Sequence, residues 1–202
     1  MEAQRIMVDL HTIPFEDSLE MGGQAEEALV EWIRGRGNAV LPVGLLQNRD
    51  GRGGAHLFLK GREVAVPDLL IFPPKSQVFW AEAKRKAGFT LHRNSGDWCT
   101  GTNRRYYENY CAVADITSIP VYVLFWIDGR QTKGSPPNNA SGLFGATLVK
   151  LSKNIHHVVP AAQMGASGIV FWKTDVLTKL ASLDEVLPRG ESLQKGDGRE
   201  DY

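Results

Sequence analysis

V-P-D-L-L-I-F-P-P-K-S-Q-V-F-W-A-E-A-K-R-K, running from Val66 to Lys86, decides the fold. It reads as two apolar strands joined by a Pro-Pro turn, with polar groups only at particular points. Asp68 follows Pro67 at the mouth of the first strand, and Glu82 and Lys84 interrupt the second. Side chains in a strand alternate between faces, so Val78, Trp80, Glu82 and Lys84 share one side while Phe79, Ala81 and Ala83 share the other. A carboxylate and an ammonium therefore emerge together at the end of an otherwise greasy strand. Burying either alone would cost on the order of several kcal/mol, so the pair must face each other, a metal or a wet cleft.

Pro67-Asp68 followed by Glu82-Ala83-Lys84 at the end of a hydrophobic strand resembles the signature of the PD-(D/E)XK nuclease superfamily. That group includes restriction endonucleases, archaeal Holliday-junction resolvases and phage or plasmid nucleases. The resemblance implies a restriction-endonuclease-like α/β fold, with an αβββαβ core whose central mixed sheet is flanked by helices. It implies that the acidic pair binds Mg²⁺, while Lys84 positions or activates the attacking water. With the Ala83 carbonyl, Asp68 and Glu82 make an all-oxygen set that suits Mg²⁺ or Mn²⁺.

The rest of the chain is read against that constellation. Gly22 to Gly37 carries Ala25, Ala28, Leu29, Trp32 and Ile33 at helical spacing, ended by Gly35 and Gly37. Gly22-x-x-x-Glu26 before an amphipathic helix resembles the first helix of resolvase-like superfamily members, in which the glutamate completes the acidic cluster. Glu26 lies at the margin of the buried stripe. Its neighbour Glu27 is the other candidate, and the competing reading makes Glu26 only a first-turn acid favoured by the helix dipole.

Asn38 to Leu46 reads as a strand and Gln47 to Gly54, containing Arg49 and Arg52, as a loop. Ala55 to Leu59 and Glu63 to Phe72 read as a hairpin about Lys60-Gly61. Gly88 to Gly96 reads as a loop able to cover bound nucleic acid. Thr100 to Ile116 reads as a second helix, with Thr102 or Asn103 as N-cap and Tyr106, Tyr110, Val113 and Ala114 along one face. RecB-like members of the superfamily carry Q-x-x-x-Y on this helix. Here Arg105, Tyr106, Tyr107 and Tyr110 stand near that position without a glutamine, and the tyrosines read first as packing.

Pro120 to Asp128 is an almost continuous apolar run, suiting a strand buried on both faces. Leu143 to Leu151 and Gly168 to Trp172 read as further strands, and Thr174 to Leu183 as a helix. Residues 1–187 thus read as one nuclease-like domain. The polar, Gly-rich segment from Pro188 to Tyr202 reads as a disordered tail.

Composition bounds the function classes. A chain of 202 residues with 43% hydrophobic and 23% charged residues matches an ordinary soluble globular protein. No apolar run approaches a membrane span, and the two cysteines form no disulfide framework, so a reducing cytoplasm is expected. His92, Cys99 and Cys111 fit no familiar zinc spacing, and His156-His157 are adjacent, so their side chains are expected to point apart.

Net charge is zero, but its distribution is uneven. Between Lys84 and Arg105 stand Lys84, Arg85, Lys86, Arg93, Arg104 and Arg105 against Asp97 alone, leaving 17 basic and 22 acidic residues elsewhere. Positive charge therefore gathers behind the acidic strand, where a phosphate backbone would lie. Arg85, Lys86, Arg93, Arg104 and Arg105 are the candidate nucleic-acid contacts, with a solvated surface as the plain alternative. The function expected is metal-dependent hydrolysis of DNA phosphodiester bonds by an endonuclease, with a homodimer as one arrangement for cutting both strands. Its rivals are an inactive nuclease-fold DNA-binding protein and a structural α/β protein in which Glu82 and Lys84 are a satisfied ion pair.

Overall fold

A computed structural model describes residues 15–43, 55–129, 140–160 and 167–187. In chain order these form helix α1 (Phe15–Arg34), strands β1 (Ala39–Pro42), β2 (His56–Leu59), β3 (Arg62–Ala65), β4 (Leu69–Phe72), β5 (Phe79–Lys86), β6 (Thr90–His92) and β7 (Asp97–Asn103), helix α2 (Arg104–Thr117) and strand β8 (Val121–Ile127). There follow β9 (Gly142–Thr147), α3 (Leu148–Lys153), β10 (His157–Val159), β11 (Ile169–Lys173), a 3-10 turn (Thr174–Val176), β12 (Thr178–Ala181) and the short α4 (Leu183–Val186).

The main sheet has the order β1-β4-β5-β8-β9-β12. β5 and β8 run parallel with Trp80 opposite Val121 and Lys86 opposite Ile127, while every other pairing in this sheet is antiparallel. The α2 crossover makes the parallel pair possible, since parallel neighbours need a long connection. α1, β1, β4, β5, α2 and β8 in sequence give the expected αβββαβ order about a central mixed sheet.

Alternation along the strands builds two faces. On one, Leu69, Ile71, Ala81, Ala83, Leu124 and Trp126 meet Ala25, Ala28, Leu29 and Ile33 of α1. On the other, Trp80 and Val121 meet Tyr110 and Val113 of α2. Further along that second face, Val123, Phe125 and Phe144 pack with Phe89, which precedes β6, and on Val170 and Trp172 of a second sheet, ordered β10-β11-β7-β6. Burying a Leu, Ile or Phe side chain in such a core stabilises by about 1.5–3 kcal/mol.

Several boundaries differ from the sequence reading. α1 begins at Phe15, before the Gly22-Gly23 pair, and that pair does not break it. The run Glu63 to Phe72 is two strands: Pro67 has no N–H to donate, and the chain leaves the β2–β3 hairpin there to enter the main sheet as β4. Gly88 to Gly96 is largely the β6–β7 hairpin rather than a loop. Thr100 to Asn103 are the end of β7, and α2 starts after Asn103, whose side chain accepts from the Arg105 amide at 3.0 Å. Leu143 to Leu151 is a strand followed by α3. Thr174 to Leu183 is no helix: Thr178–Ala181 pairs with the β9 edge, and Leu180 is exposed.

Gly142 permits that last pairing. Its φ is +133°, and a Cβ there would lie 2.6 Å from the Ala181 carbonyl oxygen. The expected Gln47–Gly54 loop and the tail from Pro188 lie outside the described residues. No described helix is long and apolar enough to cross a membrane.

Candidate active site

The β4–β5 ladder pairs Ile71 with Phe79 and Leu69 with Ala81, then stops, while β5 continues to Lys86. Trp80, Glu82 and Lys84 share the α2 side of β5. Asp68 lies one residue past the last pair, and the Glu82, Lys84 and Glu26 charges all act on its carboxyl. Where the strands part, the Ala83 amide loses its ladder partner and donates instead to Asp68 Oδ2 at 2.9 Å. The Ala83 carbonyl points the same way as that amide, toward the gap between the strands.

Glu82 is 2% exposed and paired with Lys84, whose Nζ meets Glu82 Oε1. The Tyr110 phenol donates to Glu82 from α2, and burial with that carboxylate beside it pushes the phenol far above its usual range. Lys84 Nζ also sits 5.2 Å from the centre of the Tyr106 ring, which stacks along α2 on Tyr110. Burial works against the Lys84 ammonium, but Glu82 and Asp68 outweigh it and hold the group above the ordinary lysine range.

Glu26 enters from α1. Burial first, then the Glu82 charge, raise its carboxyl, with Lys84 opposing. Asp68 is raised well above the usual aspartate range by burial and then by Glu82, and Glu26 adds to the effect. Glu27 is exposed, so of the two α1 candidates Glu26 is the one turned toward the cluster.

The basic candidates separate. Lys86 lies on the Glu82–Lys84 face, and burial together with the Lys84 charge lowers it to about 8. Arg85 does not join it: the other face of β5 carries Arg85 to Asp128, with Nε 3.0 Å from Oδ1 and the two side chains 7% and 2% exposed. A buried arginine so held is not a surface phosphate contact. Arg93 is exposed on the β6–β7 turn, Arg104 is exposed and paired with Glu108 at 2.7 Å, and Arg105 is exposed in the first turn of α2. A groove of about 380 Å³ lined by Trp32, Ile33, Phe79, Tyr122, Leu124 and Leu180 contains none of the clustered acids.

Sequence reasoning missed the work of Tyr110. Its signal was present in the four-residue spacing from Tyr106, which puts both rings on one helix face. It also misjudged His156-His157. Adjacent side chains diverge within a strand, but His156 precedes β10, and its Nδ1 lies 2.7 Å from that of His157. Cys99 lies beside His156, at 3.6 Å from Sγ to Nδ1, whereas Cys111 is on α2.

No protein-family model and no curated protein matches the chain. Among solved structures, it is similar to Hjc, a Holliday junction resolvase from Archaeoglobus fulgidus, with a TM-score of 0.44 and 11% identity over 77% of this chain and 90% of that one. It is also similar to a nuclease from a fusselovirus, with a TM-score of 0.40 and 13% identity over 89% of this chain and 93% of that one.

Proposed function

We propose that this chain is a divalent-metal-dependent nuclease that hydrolyses phosphodiester bonds of DNA, cutting within the strand. The observation that supports the reading is the convergence of Glu26, Asp68 and Glu82 with the single ammonium of Lys84 where β4 and β5 part. Three carboxyls and one ammonium leave an excess of negative charge in a desolvated place. The raised carboxyls of Glu26 and Asp68 report that strain, and a dication is what the donor set lacks. Asp68, Glu82, the Ala83 carbonyl and Glu26 are all hard oxygen donors, fitting Mg²⁺ or Mn²⁺. Held there, the cation supplies Lewis-acid neutralisation of the phosphoryl charge.

The remaining chemistry belongs to the side chains. Hydrolysis places a water in line with the 3′ oxygen that departs, and negative charge grows on the phosphoryl oxygens. Lys84 is held protonated by its carboxylate neighbours, so it acts as a donor: it hydrogen-bonds the water or a phosphoryl oxygen and offsets the developing charge. Glu82 fixes the ammonium, and Tyr110 fixes Glu82. Glu26, only part-buried, would orient a water and accept its proton. Lys86 on the same face, with Arg93 and Arg105 exposed, provides the cationic surface for the phosphate backbone.

The experiment is incubation of the purified chain with plasmid, linear and branched DNA in Mg²⁺, Mn²⁺ or EDTA. The expected result is cleavage in either metal and none in EDTA, abolished by Asp68→Asn and by Glu82→Gln. DNA shifted but never cut would replace the proposal with an inactive binding protein on this fold. Neither cutting nor binding would leave Glu82–Lys84 as a structural ion pair.

A further inference from the structure

Three histidines from two distant parts of the chain converge on the second sheet and share no residue with the acidic cluster. His92 ends β6, His156 precedes β10 and His157 begins it. Each offers a ring nitrogen, and these nitrogens all lie within 4.8 Å of one another. β6 and β10 are the outer strands of a four-stranded sheet, so in a flat sheet they would stand about 14 Å apart. Yet the His92 and His157 rings are 4.2 Å apart centre to centre, and those of His92 and His156 are 5.0 Å apart. The twist that sheets carry and the reach of these side chains account for that closeness. Nothing apolar is gained by crowding three imidazoles, all only part-buried.

The neighbours of the rings favour one assignment of their nitrogens. His156 Nε2 lies 3.2 Å from Asp97 Oδ2, which is itself held by Lys173 Nζ at 2.9 Å. A proton on Nε2 donated to that carboxylate leaves the Nδ1 lone pair of His156 facing His157 Nδ1 across 2.7 Å. His92 Nδ1 lies 2.9 Å from Ser95 Oγ, a partner that leaves its Nε2 free to serve as the ligand atom. His157 is fixed by stacking on Phe171 at 4.6 Å and 5°. Carboxylate and hydroxyl partners on the outward nitrogens are how metal-bound histidines are oriented.

We propose that His92, His156 and His157 form a second metal site, selective for a borderline cation of the Zn²⁺ type, which staples the β6–β7 hairpin to β10. Imidazole donors favour Zn²⁺ over the Mg²⁺ that suits an all-oxygen set, so the two sites take different ions. Three protein nitrogens leave the fourth tetrahedral position to water. The nearest pair would spread from 2.7 Å to about 3.3 Å, the separation set by two Zn–N bonds of about 2.0–2.1 Å at the tetrahedral angle. The alternative is a plain hydrogen bond between His156 and His157 with no ion.

The test uses the full chain carrying Asp68→Asn and Glu82→Gln, so that the acidic cluster cannot supply the binding, stripped with a chelator and dialysed. Zn²⁺ is titrated against a chromophoric chelator, and Co²⁺ by its visible absorption. One ion per chain is expected, with the intense absorption of four-coordinate Co²⁺ and a Tm that rises with Zn²⁺ but not with Mg²⁺. His92→Gln and His157→Gln, each on that background and checked by circular dichroism for an unchanged fold, should weaken binding at least a hundredfold and abolish the Zn²⁺-dependent rise. Absence of stoichiometric binding, or binding and Tm rise untouched by the folded glutamine variants, would overturn the site. Should His157→Gln fail to fold, His92→Gln on the hairpin side decides alone. None of these readouts depends on DNA cleavage, so the nuclease proposal and this one fail separately.

Discussion

The Ala83 amide donates to the Asp68 carboxylate across 2.9 Å, at the point where β4 and β5 cease to pair. One side chain thus satisfies an amide the sheet has abandoned and delivers an acid beside Glu82. The hydrogen bond favours the charged carboxylate, but burial and the Glu82 charge overcome it and leave Asp68 raised. Asp68 therefore keeps its place in the cluster at a cost in stability.

That cost is measurable. Asparagine keeps an oxygen for the Ala83 amide and removes the charge, so in EDTA at neutral pH Asp68→Asn should be more stable than wild type by about 1 kcal/mol, while metal-dependent cleavage falls at least roughly a hundredfold. The sign follows from linkage. A carboxyl whose folded pKa lies above its unfolded value adds relative stability at low pH, and that is lost as pH rises through the folded pKa. The advantage of the variant should accordingly shrink as pH falls toward the unfolded aspartate range. Urea denaturation at several pH values checks this, and a variant less stable than wild type at neutral pH would contradict it.

The chain announced this cluster because strand periodicity is strict: the alternation from Val78 to Lys84 puts Glu82 and Lys84 on one face whatever lies around them. α1 and β8 were legible for similar reasons, one from its apolar stripe and one from an unbroken apolar run. The hairpin β6–β7 was not, since His92-Arg93-Asn94-Ser95-Gly96 has turn composition and β6 is only three residues long. The histidine cluster was hidden by distance, since His92 and His156 stand far apart in the chain and meet only in the folded sheet, with ring centres 5.0 Å apart. Arg85 was misplaced because charge counting ignores the alternation that turns it away from Lys84 toward Asp128.

Tyr110 is 2% exposed and bonds Glu82, so it positions that carboxylate without reaching substrate. Tyr110→Phe removes the hydroxyl and little volume. It should cost about 1–2 kcal/mol of stability through the lost donor. Cleavage should slow through kcat with KM for DNA unchanged. A rise in KM alone would show that Tyr110 serves the binding surface instead.

Lys86 supplies a pH signature. Its folded pKa of about 8 lies below the unfolded lysine value of 10.5. Between those values the unfolded chain holds a proton that the folded chain lacks, so this group makes stability rise with pH in that window. DNA affinity should move oppositely, because the phosphate loses a cation as Lys86 discharges. Fluorescence anisotropy in EDTA should show binding weakening from pH 7 to pH 9. Lys86→Arg, charged throughout, should remove much of that slope, and an identical slope in the variant would take Lys86 out of the interface.

Glu82 and Lys84 are coupled by contact, one 2% exposed and the other 26%. Removing the ammonium leaves a buried carboxylate held by Tyr110 alone, a loss worth up to 3–5 kcal/mol in a dry interior. The partial exposure of Lys84 lowers that figure, so Lys84→Ala should destabilise the metal-free chain by about 2 kcal/mol. Glu82→Gln removes the charge that needed the ammonium, and on that background Lys84→Ala should cost little. The double-mutant cycle in urea should therefore give a coupling of about 1–2 kcal/mol. Strict additivity would mean that the ammonium lies in solvent and Glu82 is held by other groups. Slow cleavage by Lys84→Ala, measured in saturating Mg²⁺ where the fold is secured, would then separate the chemical part of Lys84 from its structural one.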